Sequence, residues 1–206
     1  MRLIMPPQHT PPTRDTRQDI LDAAQIIISG KGFAAVGLNE ILSAAGVPKG
    51  SFYHYFQSKD AFGEALLESY FDAYLKALDT LLQTPGLTEG ERLMLYWRKW
   101  VDTQTNGDPE GKCLAVKLGA EVSDLSEPMR KVLLRGTSAV IERLSGAMKN
   151  GIADGSVKIA GEPGQIAEML YQTWLGASLL AKIARDAQPL LSALATTRRI
   201  LGKLGE

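Results

Sequence analysis

Histidine and cysteine are almost missing from this chain: two and one among 206 residues. With Cys113 alone, no intrachain disulfide can form and no cysteine-based zinc site can be assembled. His9 and His54 are too few for a histidine-rich metal cluster or an HExxH helix, so no metal and no cofactor is expected. An excess of one charge sign is missing too. Lys+Arg and Asp+Glu both total 23, which excludes a wholly basic nucleic-acid binder but leaves room for a local basic patch. No apolar run approaches the roughly 18–20 residues that span a bilayer, so no membrane partner is expected. The segment 1–12 holds one Arg and no long apolar stretch, does not read as a signal peptide, and makes the cytoplasm the expected compartment. Strand signals are nearly absent; only 156–160 carries one, and it is too short to count. What remains is 45% hydrophobic and 22% charged, a composition that excludes wholesale disorder and collagen-like fibres.

The expected fold is all-α, with about nine helices. Pro6, Pro7, Pro11 and Pro12 predict a disordered arm over 1–12. From Thr13, Ile20, Ala23, Ala24, Ile27 and Ile28 recur at helix spacing until Gly30 and Gly32. A short helix is expected over Leu38–Ala45, and another opens at Pro48, where a missing N–H costs nothing. Ser58 caps a long helix to about Leu82, with Phe62, Leu66, Tyr70 and Leu78 on one side. Further helices are predicted over about 88–105, 111–122, 127–150, 163–187 and 189–204, with 106–109 as a loop.

Leu38–Tyr55 has the rhythm of a helix-turn-helix. From Gly46 to Lys59 no acidic residue interrupts the chain. Phe52 and Phe56 are spaced to plug one helix face into a core, which leaves Lys49, Ser51, Tyr53, His54 and Tyr55 pointing elsewhere. Such side chains donate hydrogen bonds to phosphate oxygens, and Lys adds charge. Gly50 permits close backbone approach. The bland alternative is an aromatic structural turn with solvated lysines.

The segment Ile20–Leu67 resembles the TetR family of one-component transcriptional repressors. The similarity is carried by Gly32-Phe33, Ala45-Gly46-Val47, the run from Gly50 to Phe56, and Ser58-Lys59-Asp60-Ala61-Phe62. It implies a three-helix DNA-binding head over 13–60, a regulatory and dimerisation body over 61–206, and a homodimer on a palindromic double-stranded operator. By this resemblance Lys49, Ser51, Tyr53, His54 and Tyr55 lie on the recognition helix, and Lys59 holds phosphate. Pro48 and Lys49 are placed to reach base edges, since the helix N-terminus enters the major groove; Asn39 precedes them. Where many members carry Thr or Ser as the cap of the second helix, this chain has Gly37.

The body has a narrower likeness. Lys112-Cys113 through Glu127, and Tyr171 through Lys182, resemble TetR-type repressors that sense electrophiles and reactive chlorine, in which the residue matching Cys113 is the sensor. The inducer is then a small electrophile, an oxidant or a ligand. A predicted helix start lowers a thiol pKa, and Lys112 and Lys117 are close in sequence. Because Cys113 is alone, a disulfide would need a second chain or a small thiol; otherwise the options are alkylation, sulfenic acid, or capture of that acid by an amine, with Lys182 and Lys117 as the candidates. The alternative is Cys113 as a small buried hydrophobe. Lys182 reads either as snorkelling from an interface or as buried and functional. Trp97, Trp100, Tyr171 and Trp174 read either as pocket lining or as core. No base accompanies Cys113 in sequence and no triad pattern is present, so catalysis is not expected.

Overall fold

The computed structural model describes residues 15–105 and 113–202. The arm over 1–12, the loop over 106–109 and Lys112 lie outside them. Nine helices fill the described residues, with no strand among them. They are α1 (Thr16–Lys31), α2 (Leu38–Ala45), α3 (Lys49–Tyr55), α4 (Lys59–Leu82) and α5 (Glu89–Thr105), then α6 (Leu114–Leu125), α7 (Glu127–Ala153), α8 (Pro163–Ala184) and α9 (Gln188–Ile200).

The ends follow local chemistry. Asp15 accepts from the backbone N–H of Arg17 and Gln18, and Ser58 accepts from Ala61 at 3.0 Å. Gly46 closes α2 in the left-handed region, at φ 66°, where a side chain would be strained. Several boundaries differ from expectation: α6 runs on to Leu125 and α7 to Ala153, while α8 stops at Ala184 and α9 at Ile200. Of the two expected stops of α1, Gly32 ends it as the C-cap, at φ 93° with its N–H on the Ile28 carbonyl at 2.8 Å, while Gly30 lies within the helix. Pro48 is extended (ψ 152°) and flanks α3 instead of opening it. Cys113 flanks α6, which begins at Leu114 and not at 111.

Two cores form. The first joins α1, α2 and α3 through Ile20, Ile41 and Phe52 to Leu66 on α4, Leu118 on α6 and Met129 on α7. The second joins α5 to α7, α8 and α9 around Trp97, Leu144, Trp174 and Leu190. Tyr74 and Ala115 pack against both, so the seam lies beside the start of α6. Gly63 marks a tight crossing: a Cβ there would lie 2.6 Å from the Met129 sulfur and 2.7 Å from the Phe33 ring. Helix α4 can therefore touch α7 and the head at once.

Trp97 and Trp174 are fully buried and stacked, with centroids 4.8 Å apart and planes 13° from parallel. The indole of Trp174 donates to Thr197 Oγ1 and that of Trp100 to Ser178 Oγ, both at 2.9 Å. These pairs satisfy polar atoms that burial would otherwise penalise.

Candidate functional site

Beneath α3, three phenylalanines form a cluster. Phe52 lies 5.1 Å from Phe56 and 5.4 Å from Phe62 by ring centroids. Phe52 and Phe56 are buried, so α3 can turn only one way. The opposite side presents Lys49, Gly50, Tyr53, His54 and Tyr55, all exposed, with Pro48 exposed ahead of them and Ser51 half-buried. Tyr53 is 60% exposed and meets the core only where its ring lies edge-on to Phe52, with centroids 5.4 Å apart. Asn39 is exposed on α2. Lys59 is exposed, but its ammonium donates to the Val36 carbonyl at 3.1 Å and lies 5.0 Å over the Phe33 ring. It thus braces the α1–α2 turn, with donors left over for a phosphate. Sequence reasoning missed Arg17, whose guanidinium lies 5.4 Å over Phe56 at the end of α3.

The body's candidate site surrounds Cys113. The thiol is buried, at 7% exposure, in the wall between two cavities. One, of about 400 Å³, is also lined by Lys117, Lys182, Arg185 and Asp186. The other, of about 270 Å³, is lined by Tyr74, Tyr96 and Trp100. All four aromatic candidates belong to the second core, and of them Trp100 also lines one of these two cavities.

The helix-start argument for a low thiol pKa fails. Burial pushes the Cys113 thiol up, against opposition from the Val116 backbone N–H, the Tyr70 hydroxyl and the Ala115 backbone N–H. Desolvation of the sulfur outweighs the dipole of α6. Lys117, read from sequence as a neighbour of the thiol, lines its cavity but turns its ammonium to the Gly30 carbonyl at 2.8 Å. A thiol held protonated reacts in proportion to its thiolate fraction, so Cys113 alkylation by iodoacetamide should rise about tenfold per pH unit, still climbing at pH 9. Intact-mass kinetics across pH 7–10 check this; a plateau by pH 8 would contradict it.

Helix α6 also ties the site to the head. Cys113, Lys117 and Glu121 recur every four residues, along one side of the helix. Lys117 holds the last turn of α1 through Gly30. The Glu121 carboxylate accepts from the backbone N–H of Phe33 at 3.2 Å and of Ala34 at 2.6 Å. A thiol, an ammonium and a carboxylate thus lead from the buried sulfur to the turn before α2. Glu121 was not singled out from sequence, although its spacing from Lys117 was available. Among the described residues no three His, Cys, Asp or Glu are grouped to hold a metal, and no helix is long and apolar enough to cross a membrane.

Residues 20–66 match the family described as bacterial regulatory proteins, tetR family, and residues 90–197 match the tetracyclin repressor-like C-terminal domain. The chain belongs to the TetR family. It is a TetR-type transcriptional repressor. It is 43% identical over 187 residues to the HTH-type transcriptional repressor NemR of Escherichia coli K12, covering 91% of this chain and 94% of that protein. It is 32% identical to the transcriptional regulator AcuR of Cereibacter sphaeroides, covering 94% and 88%. The crystal structure of the reduced form of E. coli NemR superposes with a TM-score of 0.86 at 44% identity, covering 92% of this chain and 98% of that one. These relatives and both matched families are transcriptional regulators. In the TetR head, the exposed side of α3 is the DNA-facing candidate.

Proposed function

We propose that this TetR-type repressor acts in the cytoplasm as a homodimer on a palindromic double-stranded operator, and is released when an electrophile or oxidant modifies Cys113. The observation that carries this reading is the line Cys113–Lys117–Glu121 along α6, which connects the only thiol of the chain to the turn beneath the DNA-reading helices. Residues 13–60 supply DNA contact through Asn39, Pro48, Lys49, Gly50, Ser51, Tyr53, His54, Tyr55 and Lys59; residues 61–206 supply regulation and dimerisation. Support for dimerisation comes from α8, where Met169, Gly176, Leu179, Leu180 and Ile183 form an exposed stripe, with Leu191 on α9. An apolar stripe of this kind costs solubility unless a second surface covers it. Lys182 and Lys117 share a cavity with Cys113. An oxidant that takes two electrons from the thiol leaves sulfenic acid, and a lysine amine can condense with it, losing water and forming an S–N bond.

The test is a gel shift on the DNA upstream of the protein's own gene, with and without N-ethylmaleimide or hypochlorite, for the native chain and Cys113→Ser. The expected result is loss of the native shift on treatment and persistence of the Cys113→Ser shift. Release of both variants would remove Cys113 from the mechanism.

A second reading has its own support. The burial and raised pKa of Cys113 suit a structural residue, and the two cavities beside it offer space for a reversible ligand. Persistence of both shifts under treatment would favour that reading.

A further inference from the structure

The larger cavity beside Cys113 carries an unbalanced charge. Lys117 lines it from α6, and Lys182 and Arg185 from the C-terminal end of α8, against one carboxylate, Asp186. That carboxylate is already engaged, since it accepts from the Gln188 backbone N–H at 3.0 Å. Among the described residues no ion pair joins Lys117 or Arg185 to a carboxylate. Arg185 is also the one non-glycine residue among those described with a positive φ, at 54°. Glycine is the usual occupant of such a left-handed helix cap, so the backbone is strained there to carry a side chain, and that side chain is a guanidinium on the cavity wall. The carbonyl end of α8 accounts for cations close to it, but not for Lys117, which is half-buried on another helix. The rest of the wall is mixed: Val116 and Leu190 supply apolar surface, and Ser29 and Ser178 supply hydroxyls.

We propose that this cavity binds a small organic carboxylate with a compact apolar stem, reversibly and without chemistry at the thiol. The assignment rests on the reversible-ligand reading and adds the class of ligand. The Arg185 fork and the Lys182 ammonium receive the carboxylate at the mouth, where both residues are exposed. The stem lies inward against Val116 and the buried Leu190. Within a partly enclosed cavity such charges hold an anion more firmly than on open surface, and a neutral compound of the same shape gains nothing from them. The site also reaches the head. Lys117 donates to the Gly30 carbonyl at 2.8 Å, and both residues line the cavity. A carboxylate there is a charged acceptor competing with a neutral one for the same ammonium, and charge-assisted hydrogen bonds are about twice as strong. Occupancy therefore draws Lys117 from α1 and loosens the hold of α6 on the helix that precedes the DNA-reading pair.

The probe is benzoate, which offers a thiol no carbon to attack, titrated into the full-length chain and followed by protein NMR at constant ionic strength. It is expected to bind the native chain with a Kd of about 1 mM or tighter, while benzamide, of the same shape and without charge, binds about tenfold or more weakly. In Arg185→Gln, a change at an exposed position outside both cores, benzoate affinity should fall about tenfold. Equal affinity for benzoate and benzamide, unchanged affinity in Arg185→Gln, or no shift changes with benzoate at about 10 mM would each overturn the carboxylate site. Inorganic sulfate binding as tightly as benzoate would overturn it too, because no apolar stem would then be recognised. Saturating benzoate should also weaken operator binding by the native chain about fivefold or more in a gel shift, and leave that of Lys117→Met unchanged. Benzoate binding that depends on Arg185, together with native operator affinity that does not move, would leave the carboxylate site standing and sink the reversible-ligand reading alone.

Discussion

Changing Lys49 and Tyr53 together to Ala is expected to remove operator binding at physiological salt while leaving the fold intact. Both side chains are exposed on α3, and neither supports the Phe52–Phe56–Phe62 cluster except through the edge of the Tyr53 ring on Phe52. A base-edge or phosphate contact contributes about 1–3 kcal/mol, so two of them amount to roughly thirtyfold to ten-thousandfold in affinity per head. The Lys49 component should also flatten the salt dependence by about one unit of slope. Fluorescence anisotropy across a salt series measures both. Retained affinity in the folded variant would move the DNA interface away from this side of α3.

The second large effect is expected at Glu121. Its carboxylate holds the backbone N–H groups of Phe33 and Ala34, and charge-assisted hydrogen bonds contribute about 1.5–3 kcal/mol each when well placed. Glu121 is half-buried, so the lower end applies. Coupling between two sites is typically about 1–3 kcal/mol, or about 5–150-fold in affinity, so one such connection can carry all of it. Glu121→Ala should therefore keep Cys113 alkylation at its native rate and keep DNA binding, yet shrink the change in operator affinity on alkylation to about twofold or less. The paired readout distinguishes coupling from damage: a loss of both DNA binding and native thiol kinetics would mean that the substitution had unfolded the contact region.

How far the sequence carried depended on whether the determinant was local. The head was legible because its signals are short-range: Gly46 in its left-handed cap, Phe52 and Phe56 one turn apart, Ser58 capping α4. The start of α8 at Pro163 in the body was legible for the same reason. Gly30 misled because a glycine within a helix is tolerated when both neighbouring turns are already fixed, here by Ile28 in the core and by Lys117 on the carbonyl. The thiol misled more deeply. A helix dipole is visible in sequence, whereas the desolvation that outweighs it depends on α4, α5 and α8 closing around Cys113. The tyrosines were hidden likewise. Tyr70 and Tyr74 share a side of α4, and Tyr96 and Trp100 a side of α5, but nothing local says that both sides meet one sulfur. Trp97, Tyr171 and Trp174 could be read as pocket or core; the 4.8 Å stack and the buried hydrogen bond to Thr197 put Trp97 and Trp174 in the second core, and Tyr171 is buried in it too.

The close crossing at Gly63 bears on how such regulators can be recombined. The first core takes in Leu66, Leu67 and Phe71 from α4, Leu118 and Val122 from α6, and Met129 from α7 along with the three head helices. A chimera spliced at residue 60 would part Ile20 and Phe52 from half of the side chains that bury them. Transplanting the DNA specificity of this protein onto another sensory body therefore calls for moving α4 through Phe71 with the head, and for a recipient whose own helices offer a methionine-sized cushion opposite a glycine. Exchange of reading heads between such proteins is in this sense a problem of matching two surfaces, and the splice point belongs inside the long helix instead of at its start.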